Sequence, residues 1–354
     1  MKIAIGFNVK NSAWGGGNQF AISLIKEAKA KGYKITTELK DKDIDIILFT
    51  DPRSFNEGVS FGSLDILMYL LFINKKAIVV HRLNECDERK NTKYMNKFLK
   101  WSNYFSDHNI FIASWLRNLE IYQKDKSYDV ILNGADKEIF KSYRKNIWDS
   151  ENKLKIVTHH WSGNLMKGFD IYKKIDELLM NNYFKGKINF TYIGNLPKNF
   201  SFKKARHIKP LYGVNLAKEL SKHHVYITAS INEPAGMHHI EGALCGLPII
   251  FRNSGALPEY CEEFGIGFYD SFFIEAIEEM MNKYKSFKSK MEEYPYDSRN
   301  MTNQYFDIFE KLLIRKDQIV RERNLFRSPL IIVKNFIFLI MFSKKILKRI
   351  LKIF

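Results

Sequence analysis

Residues 225–259, VYITASINEPAGMHHIEGALCGLPIIFRNSGALPE, decide the fold. The apolar, β-branched run Val225–Thr228 has the pattern of a buried parallel strand. Pro234 stands where the first residue of a helix is expected, because its missing N–H would have no partner there. Gly236 lets another group approach the backbone closely, and a helix is predicted over Met237–Cys245. The free N–H groups at such a helix start form an anion site. Glu233 lies at its mouth and Glu241 two turns further on. Gly246-Leu247-Pro248 stops the helix, Ile249–Phe251 makes the next strand, and Ser254-Gly255 turns the chain into Glu259.

Outward from this segment, strands and helices alternate. Lys2–Phe7, Ile44–Phe49, Ala77–Val80, Asn109–Ala113 and Val130–Leu132 read as strands, with helices over Gln19–Lys31, Tyr94–Ser106 and from Ser114. A second series follows, with strands at Lys155–His159 and Ile188–Ile193, a short extended piece at Lys209–Tyr212, and helices ending near Leu179 and Lys222. Such alternation predicts parallel, doubly wound sheets. The polar segment Lys141–Lys153 separates two α/β units, expected at 1–145 and 150–300. A helix over 301–320 and a tail over 325–354 complete the chain.

At 354 residues there is length for two such cores. Cys86, Cys245 and Cys261 form no paired framework and no metal spacing, which suits reduced thiols. The first residues enter a strand directly, so no signal peptide is expected and the chain is placed in the cytoplasm. The net charge of +17 calls for an anionic partner. From Arg321 onward there are nine Lys or Arg against one acid. Leu330–Phe342 is apolar apart from Lys334 and Asn335, too short to span a bilayer. In the last residues Ile346, Leu347, Ile350, Leu351 and Phe354 share one helical face, opposite Lys344, Lys345, Lys348, Arg349 and Lys352. A basic amphipathic helix of this kind lies on an anionic leaflet, so residues 330–354 are expected to bind the inner face of a membrane. Nucleic acid is the competing partner, but it would need basic residues interleaved with exposed aromatics.

The punctuation E-P-x-G, a second Glu eight residues on, G-L-P and G-A-L-P-E resembles the EX7E signature of retaining family 4 glycosyltransferases. The resemblance covers residues 1–320 and implies the GT-B fold, two facing Rossmann-like domains with a cleft between them. It also implies a hexosyltransferase, acting on a nucleotide sugar (UDP- or GDP-linked) and a glycan or glycolipid acceptor. Retention without a metal and without a resident cofactor is implied as well. Carried over residue by residue, Glu233 would meet the transferred sugar and Glu241 the ribose. Gly236, Met237 and Lys167 would meet the diphosphate, Gly16 and Gly17 the donor or acceptor, and His81 the transferred sugar. The arginine that usually precedes the phosphate lysine is missing, with His160 or Ser162 as its neutral replacement. Asn133-Gly134-x-Asp136 matches a structural turn of the family, its glycine expected in a left-handed conformation. Asp41-x-Asp43-x-Asp45 precedes its strand and is taken as a solvated strand entrance rather than a metal motif. A catalytically inactive relative with the same fold is the second alternative.

Overall fold

Short apolar runs separated by amphipathic helices build two parallel six-stranded sheets in the computed structural model, which describes residues 1–10, 15–54, 56–144 and 147–350, with 342–350 as helical backbone only. In the first half β1 (Lys2–Ile5) leads to α1 (Gly16–Ala30), β2 (Lys34–Thr36), β3 (Ile46–Phe49) and α2 (Ser63–Phe72). It continues through β4 (Ile78–Leu83), α3 (Met95–Ser102), β5 (His108–Phe111) and β6 (Tyr128–Val130). The second half runs β7 (Leu154–His160), α4 (Phe169–Leu178), β8 (Ile188–Gly194), β9 (Arg206–Ile208), α5 (Gly213–Leu220) and β10 (Val225–Thr228). Then come α6 (Met237–Leu244), β11 (Ile249–Arg252), α7 (Leu257–Cys261), β12 (Gly265–Phe268) and α8 (Phe273–Lys290). The sheet orders are β2-β1-β3-β4-β5-β6 and β12-β11-β10-β7-β8-β9. This is the α/β, doubly wound class the sequence predicts.

Both orders contain a reversal. The chain leaves β1 toward β2 but β3 toward β4, and leaves β7 toward β8 but β10 toward β11. Ligands of open α/β sheets bind where the order reverses, beyond the carboxyl ends of the strands. In this molecule the loops after β1, β7 and β10 all reach one cleft.

Several local expectations are corrected. The helix from Ser114 is a single 3-10 turn, Ser114–Asn118, and the extended piece near Lys209 is instead β9. Gly134 is not at positive φ. Its hydrogen is needed because a Cβ would stand 2.1 Å from the Asp297 carbonyl oxygen, where Ala135 and Asp297 form a β-bridge. That bridge precedes α9 (Ser298–Ile314), which Asp297 caps through a 2.9 Å bond from the Asn300 N–H. Met301, Tyr305, Phe306, Phe309 and Leu312 recur on one face of α9 and join one apolar cluster with Ile3 and Ile5 of β1 and Phe20 and Leu24 of α1.

The two halves also meet at the base of the cleft. The fully buried Tyr260 hydroxyl donates to the Ile112 carbonyl and accepts from the Asn133 N–H, both at 2.7 Å. Asn133 in turn donates to the Ala235 carbonyl at 3.0 Å. Asp41 and Asp43 pair with Lys2 at 2.8 and 2.7 Å, and Asp45 accepts the Lys2 N–H at 2.9 Å.

After α10 (Lys316–Glu322), α11 (Pro329–Ile350) docks on α3 and α2. Asn335, an interruption in the apolar run, is fully buried and donates to the Trp101 carbonyl at 3.1 Å. Phe338 is buried against Tyr94, Phe98 and Trp101. The opposite face leaves Leu330, Val333, Phe336, Ile337, Ile340 and Met341 exposed. No helix among the described residues is long and apolar enough to cross a membrane. The side chains of the basic segment Lys344–Ile350, and all of 351–354, lie outside the described residues.

Candidate active site

The cleft encloses about 220 Å³ between the loop entering α1, the segment after β4, the end of β7 and the start of α6. Backbone segments from both halves of the chain therefore line it together.

Glu233 lies in the loop after β10, and α6 begins only at Met237 with Gly236 as its N-cap. Pro234 is thus not the first residue of the helix. Four helical residues separate Met237 from Glu241, a rise of about 6 Å, so one turn and not two lies inside the helix. The chain enters the helix late because Glu233 is tied elsewhere. Its carbonyl accepts the Ala256 N–H at 2.8 Å, and its carboxylate is paired with Lys167.

Lys167 ends the 3-10 turn Leu165–Lys167, where the Asn164 side chain accepts the Met166 N–H at 2.9 Å. Gly168 follows at φ +94, and a Cβ there would stand 2.5 Å from the Ala229 backbone. That contact fixes Lys167 against the end of β10. Its ammonium hydrogen-bonds Glu233 Oε2. Arg89 approaches from the first half, its Nε 3.8 Å from Glu233 Oε1.

Glu233 is 2% exposed, and burial alone would push its carboxyl up. The Lys167 ammonium and Arg89 guanidinium outweigh burial and hold it at about 2. Burial pulls Lys167 below its ordinary 10.5, against the attraction of Glu233. The result is one buried anion flanked by two cations at a helix start. Glu85, 3.5 Å from Arg89 and paired with Lys90 at 2.6 Å, extends the cluster to two carboxylates and three cations.

Glu241 lines the same cleft and accepts a 2.7 Å hydrogen bond from His159 Nε2. The Tyr226 hydroxyl lies 3.1 Å from His159 Nδ1 and fixes the ring. His159 was not singled out from the sequence, although its position near the end of a predicted strand was a usable signal.

Gly16 and Gly17 open α1 and line the cleft. A Cβ on Gly16 would stand 2.5 Å from Met237 Cγ, so the starts of α1 and α6 converge. Both are helix starts with free N–H groups.

His160 lines the cleft, but its Nε2 is 2.8 Å from the Tyr172 hydroxyl and its ring centroid 4.4 Å from that of His238. Burial, reinforced by Lys167, drives its imidazole well below the ordinary range and keeps it neutral. Ser162 also lines the cleft, exposed, and accepts the Asn164 N–H at 3.3 Å. The second positive charge of the cluster is instead Arg89.

His81 does not reach the cleft. β4 runs on to Leu83, so His81 is an interior strand residue, fully buried, stacked on Phe49 at 4.0 Å. Its Nδ1 donates to Asn103 Oδ1 at 2.6 Å, and burial brings the imidazole down to about 3. Side chains alternate across a strand, and the next residue, Arg82, is the one that lines the cleft. Arg82 is held by the Tyr305 hydroxyl at 3.1 Å and Asn133 Oδ1 at 2.8 Å, with its guanidinium 3.9 Å from the Phe20 ring centroid. His238 lies 2.8 Å from Thr228 Oγ1, and His239 is buried against Tyr260.

No family model matches the chain, and no curated protein matches it in sequence. Solved structures do share its fold. The pneumococcal O-GlcNAc transferase GtfA, solved with UDP and GlcNAc, is similar at a TM-score of 0.57 and 12% identity, over 78% of this chain and 59% of its own length. The chain therefore spans about three fifths of that neighbour. The sucrose-phosphate synthase of Thermosynechococcus elongatus is similar at 0.65 and 14% identity, over 88% of this chain and 99% of that one. Anabaena HepE, solved with UDP and glucose, gives 0.62 at 12% identity, over 88% and 100%. What these proteins share with the chain is the GT-B fold.

Proposed function

We propose that this chain is a glycosyltransferase that moves a sugar from a nucleotide-sugar donor to a hydroxyl acceptor. The observation that carries the reading is the buried Glu233–Lys167 pair at the start of α6, beside the reversal of the second sheet and facing the start of α1. A nucleoside diphosphate linked to a sugar has the charge and length to engage these groups together. Its diphosphate would take Lys167 and the free N–H groups of Gly236, Met237 and the α1 start near Gly16 and Gly17. Glu241, oriented by His159, would accept from the ribose hydroxyls. Glu233 would accept from hydroxyls of the transferred sugar. Similar solved proteins carry UDP beside a sugar in the same fold, which supports this choice of donor.

Charge stabilisation of the departing diphosphate and positioning of the acceptor would supply most of the rate. In the family 4 reading, a hexose is transferred with retention and without a metal. UDP and GDP are the preferred nucleotides. The exposed apolar face of α11, together with Met68, Leu71 and Phe72 on the neighbouring α2, supports attachment to an anionic membrane. A peripheral enzyme on the cytoplasmic leaflet, acting on a lipid-linked or surface glycan, fits that face.

The test is donor binding and hydrolysis over a panel of UDP-, GDP-, ADP- and CMP-sugars. Wild type is compared with Glu241→Ala and Lys167→Ala. One donor should bind clearly and weaken in both variants. Absence of binding by any donor to the wild type would remove the transferase reading and leave the inactive relative.

A further inference from the structure

We propose that Arg89 is a diphosphate-binding residue, carried across the cleft by the first half of the chain. The inference rests on the transferase reading and adds a specific group to it.

Arg89 lies in the segment between β4 and α3, and this segment is anchored. Asp87 accepts the N–H groups of Met95 and Asn96 at 3.0 and 2.9 Å and so caps the start of α3. The Arg89 guanidinium, by contrast, is poorly used. A guanidinium presents five N–H donors in a fixed plane. Among the described residues, the acceptors facing it are Glu85 Oε2, 3.5 Å from Nη1, and Glu233 Oε1, 3.8 Å from Nε. Both contacts are long, and Nε is buried without a hydrogen-bond partner. Leaving a charged donor buried and unpaired is costly unless a ligand completes it. A planar fork suits phosphate oxygens, which accept two parallel N–H bonds from it.

Lys167 supplies the matching cation from the second half, and both residues converge on Glu233. The Glu233 carboxylate stands between them as their shared counter-ion. A diphosphate entering at the α6 start would draw both cations to its own oxygens, which releases Glu233 for the sugar. It would also bridge one cation from each half and hold the cleft closed.

The test is calorimetric titration of the full chain with UDP, GDP and ADP, and with the matching nucleosides by displacement. For the diphosphate that binds the wild type, Arg89→Gln should weaken binding at least tenfold and leave the nucleoside within twofold. Arg89→Lys keeps the charge but not the fork, and should recover part of the loss. If Arg89→Gln does not fold, Arg89→Lys decides the matter: weakening confined to the diphosphate supports the proposal, and unchanged binding overturns it. Equal weakening of nucleoside and diphosphate would assign Arg89 to loop packing and also overturn it. If Lys167→Gln weakens the diphosphate while Arg89→Gln binds as wild type, this inference falls and the transferase reading stands. A wild type that binds none of the three diphosphates overturns both.

Discussion

Replacing Lys167 by Met should convert a stabilising carboxylate into a destabilising one, with a pH dependence that identifies Glu233 as the cause. In the folded chain Glu233 titrates at about 2, against an ordinary 4.5. A folded-state pKa below the unfolded value contributes stability above pH 4.5, lost as the pH falls toward 2. The difference is worth about 3 kcal/mol at neutral pH. Glu233 is only 2% exposed, so little of this is screened by solvent. With Lys167 gone, Arg89 remains at 3.8 Å, but burial is no longer outweighed and pushes the carboxyl up.

The sign then reverses. A raised carboxyl destabilises the fold at neutral pH and ceases to do so below the unfolded value, where it is protonated in both states. Lys167→Met should therefore lose at least about 3 kcal/mol at pH 7 in urea unfolding followed by circular dichroism. The part of that deficit due to the raised carboxyl should disappear by pH 4.5, and the rest only as the pH falls toward 2, where the wild type loses its own Glu233 contribution. The double variant Lys167→Met/Glu233→Gln carries neither charge and should return to within about 1 kcal/mol of wild type at every pH. A deficit at pH 7 below about 1 kcal/mol, or one that does not shrink on acidification, would refute the claim that Lys167 compensates a buried charge.

Three further outcomes follow from other contacts. Tyr260→Phe strips the Asn133 N–H and Ile112 carbonyl of their buried partner, and thermal unfolding should register a loss of about 2 kcal/mol. Gly255→Ala places a Cβ 2.5 Å from the Glu233 backbone at φ +64, so it should cost at least about 2 kcal/mol and weaken nucleotide binding measured by calorimetry. Truncation after Ser328 keeps the Arg323–Asp107 pair but removes α11, and co-sedimentation with phosphatidylglycerol vesicles should be lost while donor binding is retained.

How far the sequence carried the reading depended on how local each signal was. Val225–Thr228 was bounded correctly because an apolar run and the Gly246-Leu247-Pro248 stop are local features. α2, with sequence SLDILMYLLF, is apolar around nearly its whole circumference and offers no helical period to read. β4 continues through His-Arg-Leu because Asn103 and Tyr305 satisfy two polar side chains inside the fold. Nothing near those residues announces such partners, so the sequence pattern ends the strand at Val80 and points His81 to the transferred sugar. Arg89 was visible as one charge in a polar run. Its relation to Glu233 needs the two halves to face each other, which no local pattern contains.

The division of contacts between the halves gives that relation its consequence. At the base of the cleft, residues of both halves share one apolar cluster, which holds Ile112 from the first and Ala235, Leu257 and Tyr260 from the second. The Tyr260 and Asn133 hydrogen bonds tie this region directly. Toward the ligand-binding end the meeting groups are charged, and the contact from Arg89 to Glu233 is long. Apolar burial is short-ranged and resists separation, whereas a charged contact lining an open cleft is readily exchanged for water or a ligand. Motion that widens or narrows the cleft should accordingly pivot at the apolar base and be controlled at the charged mouth. An anion placed between Lys167 and Arg89 would add attraction on the side that can move, and anion binding and closure would then be one event.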